Sequence, residues 1–294
     1  MSFKYKKAVR ENTSLLLALA GASGSGKTYS AMLLASGICG DEPFKVIDTE
    51  ASRALHYADQ FDFEHEDMRP PFTPEKYIQA VDDAENRGFK AIIIDSMSHE
   101  FDGEGGLMDM AENSGKKGPG AWLVPKKRHK KMMNRFLQAR THLIFCLRAD
   151  EKIDMSQRDD RGKIIVTSQG WVPIQEKRFM FEMTASFTMN PKTPGVIDLG
   201  LPHKIQDQHR MCFVPGQHVT KEAGTELAKW ALGEVITTPD KELWDRARII
   251  AQEGRDAITT YFKNVVTDDE KSRLEPIKIE LWEAATTADQ NRGL

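Results

Sequence analysis

Cysteine is scarce in this chain and does not pair: Cys39, Cys146 and Cys212 are three in number, far apart and without a CxxC spacing. An odd, dispersed set excludes a disulfide framework and a cysteine zinc site, and it fits a reducing cytoplasm, where the chain is expected to reside. The eight histidines show no ligand spacing such as H-x-x-x-H beside a carboxylate, so they predict no metal site of their own. Long hydrophobic runs are missing too. The apolar stretch Leu15-Leu16-Leu17-Ala18-Leu19-Ala20 is too short to span a bilayer and leads into glycines rather than a cleavage site, so neither a membrane partner nor a targeting segment is expected. Nor is there an excess of positive charge: a formal net charge of -3 excludes a uniformly basic coat, and a nucleic-acid partner has to be met by a local patch. There is no internal repeat and no low-complexity tract.

What is present is the composition of a globular protein, with 40% hydrophobic and 29% charged residues, enough to bury a substantial core. A chain of 294 residues suits one large domain with a small appendage, expected here as residues 1–235 and 236–294. Leu15 to Ala20 predicts a buried strand, glycines follow, and Tyr29 to Ile38 predicts a helix that stops between Gly37 and Gly40. Phe44 to Asp48 predicts a second strand. Thr73-Pro74-Glu75 opens a helix that ends at Gly88, and Ala91-Ile92-Ile93-Ile94-Asp95 is an unbroken apolar run typical of a strand covered on both faces. A helix around Lys126 to Arg140 precedes another covered strand, His142 to Leu147. Strands alternating with helices predict a mostly parallel sheet. Residues 150–200 are more alternating, with turns at Asp159-Asp160-Arg161-Gly162 and Pro194-Gly195, and predict antiparallel additions to the sheet edge. Helix returns at Thr220 to Leu232. A linker at Gly233 to Pro239 leads into two or three helices with Trp244, Tyr261, Phe262, Leu274 and Trp282 as their core. Trp171 and Trp230 are expected in the core or at an interface.

The motif that carries chemistry is Gly21-Ala22-Ser23-Gly24-Ser25-Gly26-Lys27-Thr28, a full G-x-x-x-x-G-K-[ST] placed between a strand and a helix. Its glycines let backbone N–H groups turn inward as an anion nest at the helix N-terminus, where the dipole also favours phosphate. Gly21, Ser23, Gly24, Ser25, Gly26, Lys27, Thr28 and the adjoining Tyr29 are therefore expected to bind ATP. Lys27 should reach the β- and γ-phosphates, and the Thr28 hydroxyl is placed to hold Mg²⁺. Asp95, ending an apolar strand, sits where a carboxylate steadies the magnesium shell. Hydrolysis also needs a carboxylate to orient water, for which Glu50 and Glu100 compete.

The order GASGSGKT, VIDTE, IIIDS, LIFCLRAD resembles the RecA-like recombinases, and more closely the shortened RecA-core ATPases of bacteriophages, which include single-strand-annealing recombination proteins. The run Gly170-Trp171-Val172-Pro173-Ile174-Gln175, followed by Arg178 to Met189, is similar to that phage group, and the resemblance covers about residues 14–232. It implies a RecA-like P-loop core with a mostly parallel central sheet, antiparallel edge strands and a small C-terminal helical module. It also implies Glu50 rather than Glu100 as the water-activating residue. Arg148 stands where the family has a γ-phosphate-sensing glutamine, so it is expected to act on the nucleotide, bind substrate or form a salt bridge. Implied partners are single-stranded DNA and further copies of the chain, in a ring or filament with ATP at subunit interfaces. A phage or host single-strand-binding protein is a further one. Lys177, Arg178 and Arg210 are candidates for a cation supplied in trans. The family's DNA loops correspond to about 102–125 and 150–170. Lys116, Lys117, Lys126, Lys127, Arg128, Lys130, Lys131 and Arg135 form the densest basic cluster, with Trp122 inside it as a stacking surface. The second loop carries Lys152, Arg158, Arg161 and Lys163, balanced by Asp154, Asp159 and Asp160.

Overall fold

The computed structural model describes residues 5, 8–158, 164–234 and 241–292. The turn expected at Asp159-Asp160-Arg161-Gly162 and residues 235–239 of the expected linker lie outside them. The fold divides into two compact units, one of residues 1–213 and 218–234, the other of residues 214–217 and 235–294.

The first unit runs β1 (Leu16–Gly21), α1 (Lys27–Cys39), β2 (Phe44–Asp48), β3 (Phe63–Asp67), α2 (Pro74–Asn86), β4 (Ala91–Asp95), α3 (Ser98–Asp102), α4 (Leu107–Glu112) and α5 (Leu123–Phe136). It continues through β5 (His142–Arg158), β6 (Ile164–Pro173), α6 (Phe179–Glu182), β7 (Ala185–Met189), β8 (His203–Lys204) and α7 (Lys221–Ala231). The sheet has the order β3-β2-β4-β5-β1-β7-β8, and β6 pairs with β5 outside that path. β1, β2, β4 and β7 are buried along their whole length, as strands without polar alternation must be when both faces are covered. On one face, Ala18, Ile94 and Phe145 of the sheet meet Tyr77 and Val81 of α2 and Met132 and Phe136 of α5. On the other, α1 packs against β4 and β5, and α7 packs against α1. That helix pair approaches closely because Gly37 and Gly224 lie at the crossing: a Cβ on either would overlap the partner helix's backbone.

The parallel centre is as expected, but residues 150–200 differ from the expectation. β6 does fold back antiparallel on β5, extending it well past the expected end at Leu147. β7, however, is parallel to β1 and sits directly beside it, because its five buried residues need a neighbour in the sheet interior. Only β8 adds an antiparallel edge to that side. β3, Phe-Glu-His-Glu-Asp, is an edge strand with no sequence expectation behind it. The 102–125 stretch also carries α4 and a 3₁₀ turn at Gly118–Trp122 where only loop was expected.

Among its described residues the second unit holds four α-helices, where two or three were expected: α8 (Lys241–Ala251), α9 (Arg255–Asn264), α10 (Asp268–Leu274) and α11 (Lys278–Asn291). Trp244, Tyr261 and Leu274 are buried, while Phe262 and Trp282 stack with centroids 6.4 Å apart at its margin. A reciprocal capping box between Thr267 and Glu270 starts α10. Among the described residues no helix is long and apolar enough to cross a membrane.

Candidate nucleotide site

Register brings the sequence motifs together. Gly21 of β1 lies opposite Arg148 of β5, and Asp48 of β2 opposite Asp95 of β4, so the glycine loop, the ends of β2 and β4 and the middle of β5 share one edge of the sheet. Carboxyl ends of parallel strands are where open α/β sheets place their ligands. A cleft of about 990 Å³ opens there, lined by Ser23, Gly24, Gly26, Lys27, Thr28, Glu50, Arg53, His56, Tyr57, Asp95, Asp102, Arg148 and neighbours.

The loop is held open by its surroundings. Gly26 has a φ of 87°, and a Cβ there would come within 2.6 Å of the Gly195 nitrogen. The Pro194-Gly195 turn braces the loop, since Gly195 donates its N–H to Ser25 O at 3.0 Å and Val219 donates to Gly195 O at 2.9 Å. The residues present fit a triphosphate. Lys27 Nζ bonds the loop's own Ala22 carbonyl at 2.8 Å, a contact a phosphate oxygen can replace, and the buried Ser25 Oγ has no partner among the described residues. Thr28 donates its hydroxyl to Asp95 Oδ2 at 2.5 Å, which puts together the two oxygen donors that magnesium would use. Burial pushes the Asp95 carboxyl up to about 6; the Thr28 hydrogen bond and the Lys27 charge oppose the rise, and Glu50 and Asp48 add to it.

Of the expected ATP contacts, Ser23, Gly24, Gly26, Lys27 and Thr28 line the cleft, while Gly21 and Ser25 are buried behind it. Tyr29 is a correction: it is not among the lining residues and packs instead on Phe61 and Tyr57, with centroids 5.4 and 5.8 Å away. Glu100 is a second correction. It is 0% exposed, outside the cleft, and its Oε1 lies 3.0 Å from His129 Nδ1 in a pair joining α3 to α5. Glu50 faces the cleft, with His99 Nε2 4.0 Å from Oε1 and Arg53 Nη1 3.8 Å from Oε2. His99 is fixed from behind, its Nδ1 2.7 Å from Thr49 Oγ1 and its ring stacked on Phe72 at 4.9 Å. Burial, then the charge of Arg148, holds its pKa below the ordinary value. Arg148 also lines the cleft, and in this structure its guanidinium grips both carboxylate oxygens of Asp102, at 2.7 and 2.6 Å. Arg53, His56, Tyr57, Asp102 and His99 were not found from sequence. The first three follow Glu50 on a 3₁₀ turn, Arg53–Tyr57, whose only sequence signal is its nearness to that glutamate.

A second, largely apolar groove of about 670 Å³ shares Asp150 and Ile174 with the nucleotide cleft. Trp122, Trp171 and Phe181 supply its aromatic surface, and Lys126, Lys152 and Lys177 supply charge. Trp122 stacks on Phe101, centroids 6.2 Å apart. Trp171, expected in the core or at an interface, lines this groove. Lys116, Lys117, Lys127, Lys130 and Lys131 are exposed, and Lys116 lines a further hollow that shares Trp122 and Lys126 with the groove. Arg128 is not a free member of the cluster, because its fork is committed to Glu75 at 2.9 and 3.0 Å, and Arg135 is likewise bound to Asp82 and Glu85, both at 2.6 Å. These two arginines fasten α5 to α2. Of the second loop, Arg161, Lys163, Asp159 and Asp160 lie outside the described residues.

A braced glycine loop, its lysine, a threonine paired to a strand-ending aspartate and a mixed α/β sheet with a parallel centre define a P-loop nucleotide-binding ATPase of the AAA type. The chain belongs to the AAA domain family, whose model matches residues 13–192, a span that includes the loop, Glu50, Asp95, Arg148 and the groove's Trp122 and Trp171. No curated protein matches it.

Proposed function

We propose that this ATPase is magnesium-dependent and works on single-stranded DNA in recombination, with RecA-like organisation and ATP bound where copies of the chain meet. The observation that carries this reading is the shared wall of the two clefts: Asp150 and Ile174 border both the nucleotide site and the aromatic groove. Aromatic faces beside lysines are how proteins hold single strands irrespective of sequence, and stacking contributes about 1–3 kcal/mol per base. The exposed lysines of the basic cluster supply phosphate contacts.

In the hydrolytic step the main-chain amides of the loop and Lys27 orient the triphosphate, and Thr28 with Asp95 would hold magnesium, which when bound neutralises phosphate charge. Glu50, facing the cleft, orients the attacking water. A cation from a neighbouring copy contributes about 10³–10⁵ in rate in such enzymes, so an isolated subunit turns over slowly. Of the candidates, Lys177 lines the groove and Arg210 lies 3.1 Å from Asp207.

ATP hydrolysis measured with and without single-stranded DNA tests the proposal. Stimulation that weakens steeply between about 50 and 200 mM salt supports it. Constitutive, DNA-independent turnover favours a AAA-type motor or loader acting on a partner protein, a reading to which the exposed Leu123 (67%) and Val124 (57%) at the start of α5 lend support. Lys27→Ala is expected to abolish nucleotide binding or turnover, and normal turnover in that variant contradicts the assignment of the site.

A further inference from the structure

Asp48 ends β2 with 1% of its surface exposed, yet it lies two residues before Glu50. Its carboxylate bridges the two ends of the turn that follows: Glu50 donates its backbone N–H to Oδ1 at 2.7 Å and Ala54 donates to Oδ2 at 2.9 Å. A third contact comes from the neighbouring strand, where His65 Nε2 of β3 lies 3.2 Å from Oδ2. Between the bridged amides, Ala51 and Ser52 have φ values of 58° and 65°, a left-handed conformation that side-chain-bearing residues adopt only when something else holds them. Asp48 holds them. Beyond the turn, the 3₁₀ segment Arg53–Tyr57 places Arg53, His56 and Tyr57 in the cleft beside Glu50. Asp48 itself does not line the cleft.

We infer that Asp48 is a positioning residue for ATP hydrolysis, a buried clamp whose two oxygens fix residues 49–57 so that Glu50 faces the nucleotide. The inference rests on the reading of Glu50 as the water-orienting group. An asparagine at position 48 keeps one acceptor oxygen but turns an N–H₂ toward a backbone N–H, so one end of the turn is released.

The test uses the full chain and two readouts: ATP turnover resolved into kcat and KM, and amide hydrogen exchange across residues 49–57. Asp48→Asn is expected to lower kcat by about 10- to 100-fold, as a misplacement of about 1 Å does, with the KM for ATP within about twofold of the parent. Exchange rises in residues 49–57 and stays unchanged in β1, β4 and β5. Where that variant does not fold, Asp48→Glu carries the same test, since it keeps the charge beside His65 while its longer arm cannot serve both amides. The inference is overturned if kcat stays within twofold, or if KM rises in proportion while protection falls throughout the sheet. Glu50→Gln is measured beside it. Normal turnover in Glu50→Gln defeats the reading of Glu50, and the exchange readout then decides the clamp by itself: a turn still protected in Asp48→Asn overturns it, and a deprotected one upholds it.

Discussion

Thr28 and Asp95 are joined by a hydroxyl-to-carboxylate hydrogen bond of 2.5 Å that ties the first turn of α1 to the end of β4. It is one of the forces keeping the buried carboxyl from rising further above its present value of about 6. In Thr28→Val the hydroxyl is gone, Asp95 holds a proton more readily, and the magnesium ligand proposed above is lost. A hydrogen bond to a charged group contributes about 1.5–3 kcal/mol, so MgATP affinity should fall at least about tenfold. ATP affinity in the presence of a chelator should change much less. Calorimetric titrations with and without magnesium check this, and an unaltered magnesium dependence counts against the pairing.

Glu50 and Glu100 are separated by burial, and their variants should differ in kind. Glu50→Gln is expected to bind ATP normally and to lose about 10²–10⁴ in turnover. Glu100→Gln weakens a buried contact with His129 between α3 and α5, so it should cost stability, on the order of 1–3 kcal/mol, and leave turnover per folded molecule unchanged. Denaturant melts and single-turnover kinetics on both proteins separate these outcomes.

Within the basic cluster, Lys126 and Arg128 are expected to report different things. Lys126→Gln should reduce the salt slope of DNA binding by about one and leave the melting temperature in place. Arg128→Gln removes the clasp on Glu75 and should lower the melting temperature without changing that slope. Trp122→Ala should weaken single-strand binding by about 1–3 kcal/mol at every salt concentration. Equal slopes in all three proteins would remove the groove as the DNA surface.

His142 sets a pH response in stability. Burial lowers its pKa from 6.5 to about 4, and its Nδ1 accepts the Leu15 N–H at 3.1 Å, which requires a bare nitrogen. The native imidazole takes up a proton less readily than the unfolded one, so its contribution is complete above about pH 6.5 and is lost as pH falls toward 4. The loss approaches about 3 kcal/mol at most. His209, whose pKa burial also lowers to about 4, acts in the same window. Urea melts from pH 7 to 4.5 should show a falling midpoint. His142→Asn, which offers an amide oxygen in place of Nδ1 and does not titrate, should flatten part of that fall.

The glycine loop, β2, β4 and the parallel centre were legible because each rests on a local rule: an anion nest needs its spacing, and a doubly covered strand needs an unbroken apolar run. Residues 63–67 were not legible, because a short edge strand made mostly of acidic and other polar residues looks like any solvated loop. β7 was misjudged in direction, since the turns around it suggest a hairpin while its burial beside β1 is a property of the assembled sheet. Glu100 and Arg128 show the same limit at the site. Their chemistry suits the expected roles, but His129 and Glu75, distant in sequence, have already claimed them. Trp171, expected in the core or at an interface, lines the groove, a placement visible only once β6 has folded back on β5.

β5 enters the sheet between β4 and β1 and leaves it as one arm of the hairpin with β6, an uninterrupted strand from His142 to Arg158. Arg148 and Ala149, at the point where it passes from one partnership to the other, border the nucleotide cleft. Beyond that point the β5–β6 pairing shifts register between Glu151 and Ile153 and again between Asp154 and Gln157. The stretch of β5 that passes from the sheet to β6 therefore supplies, through Asp150, part of the wall that separates the nucleotide cleft from the aromatic groove.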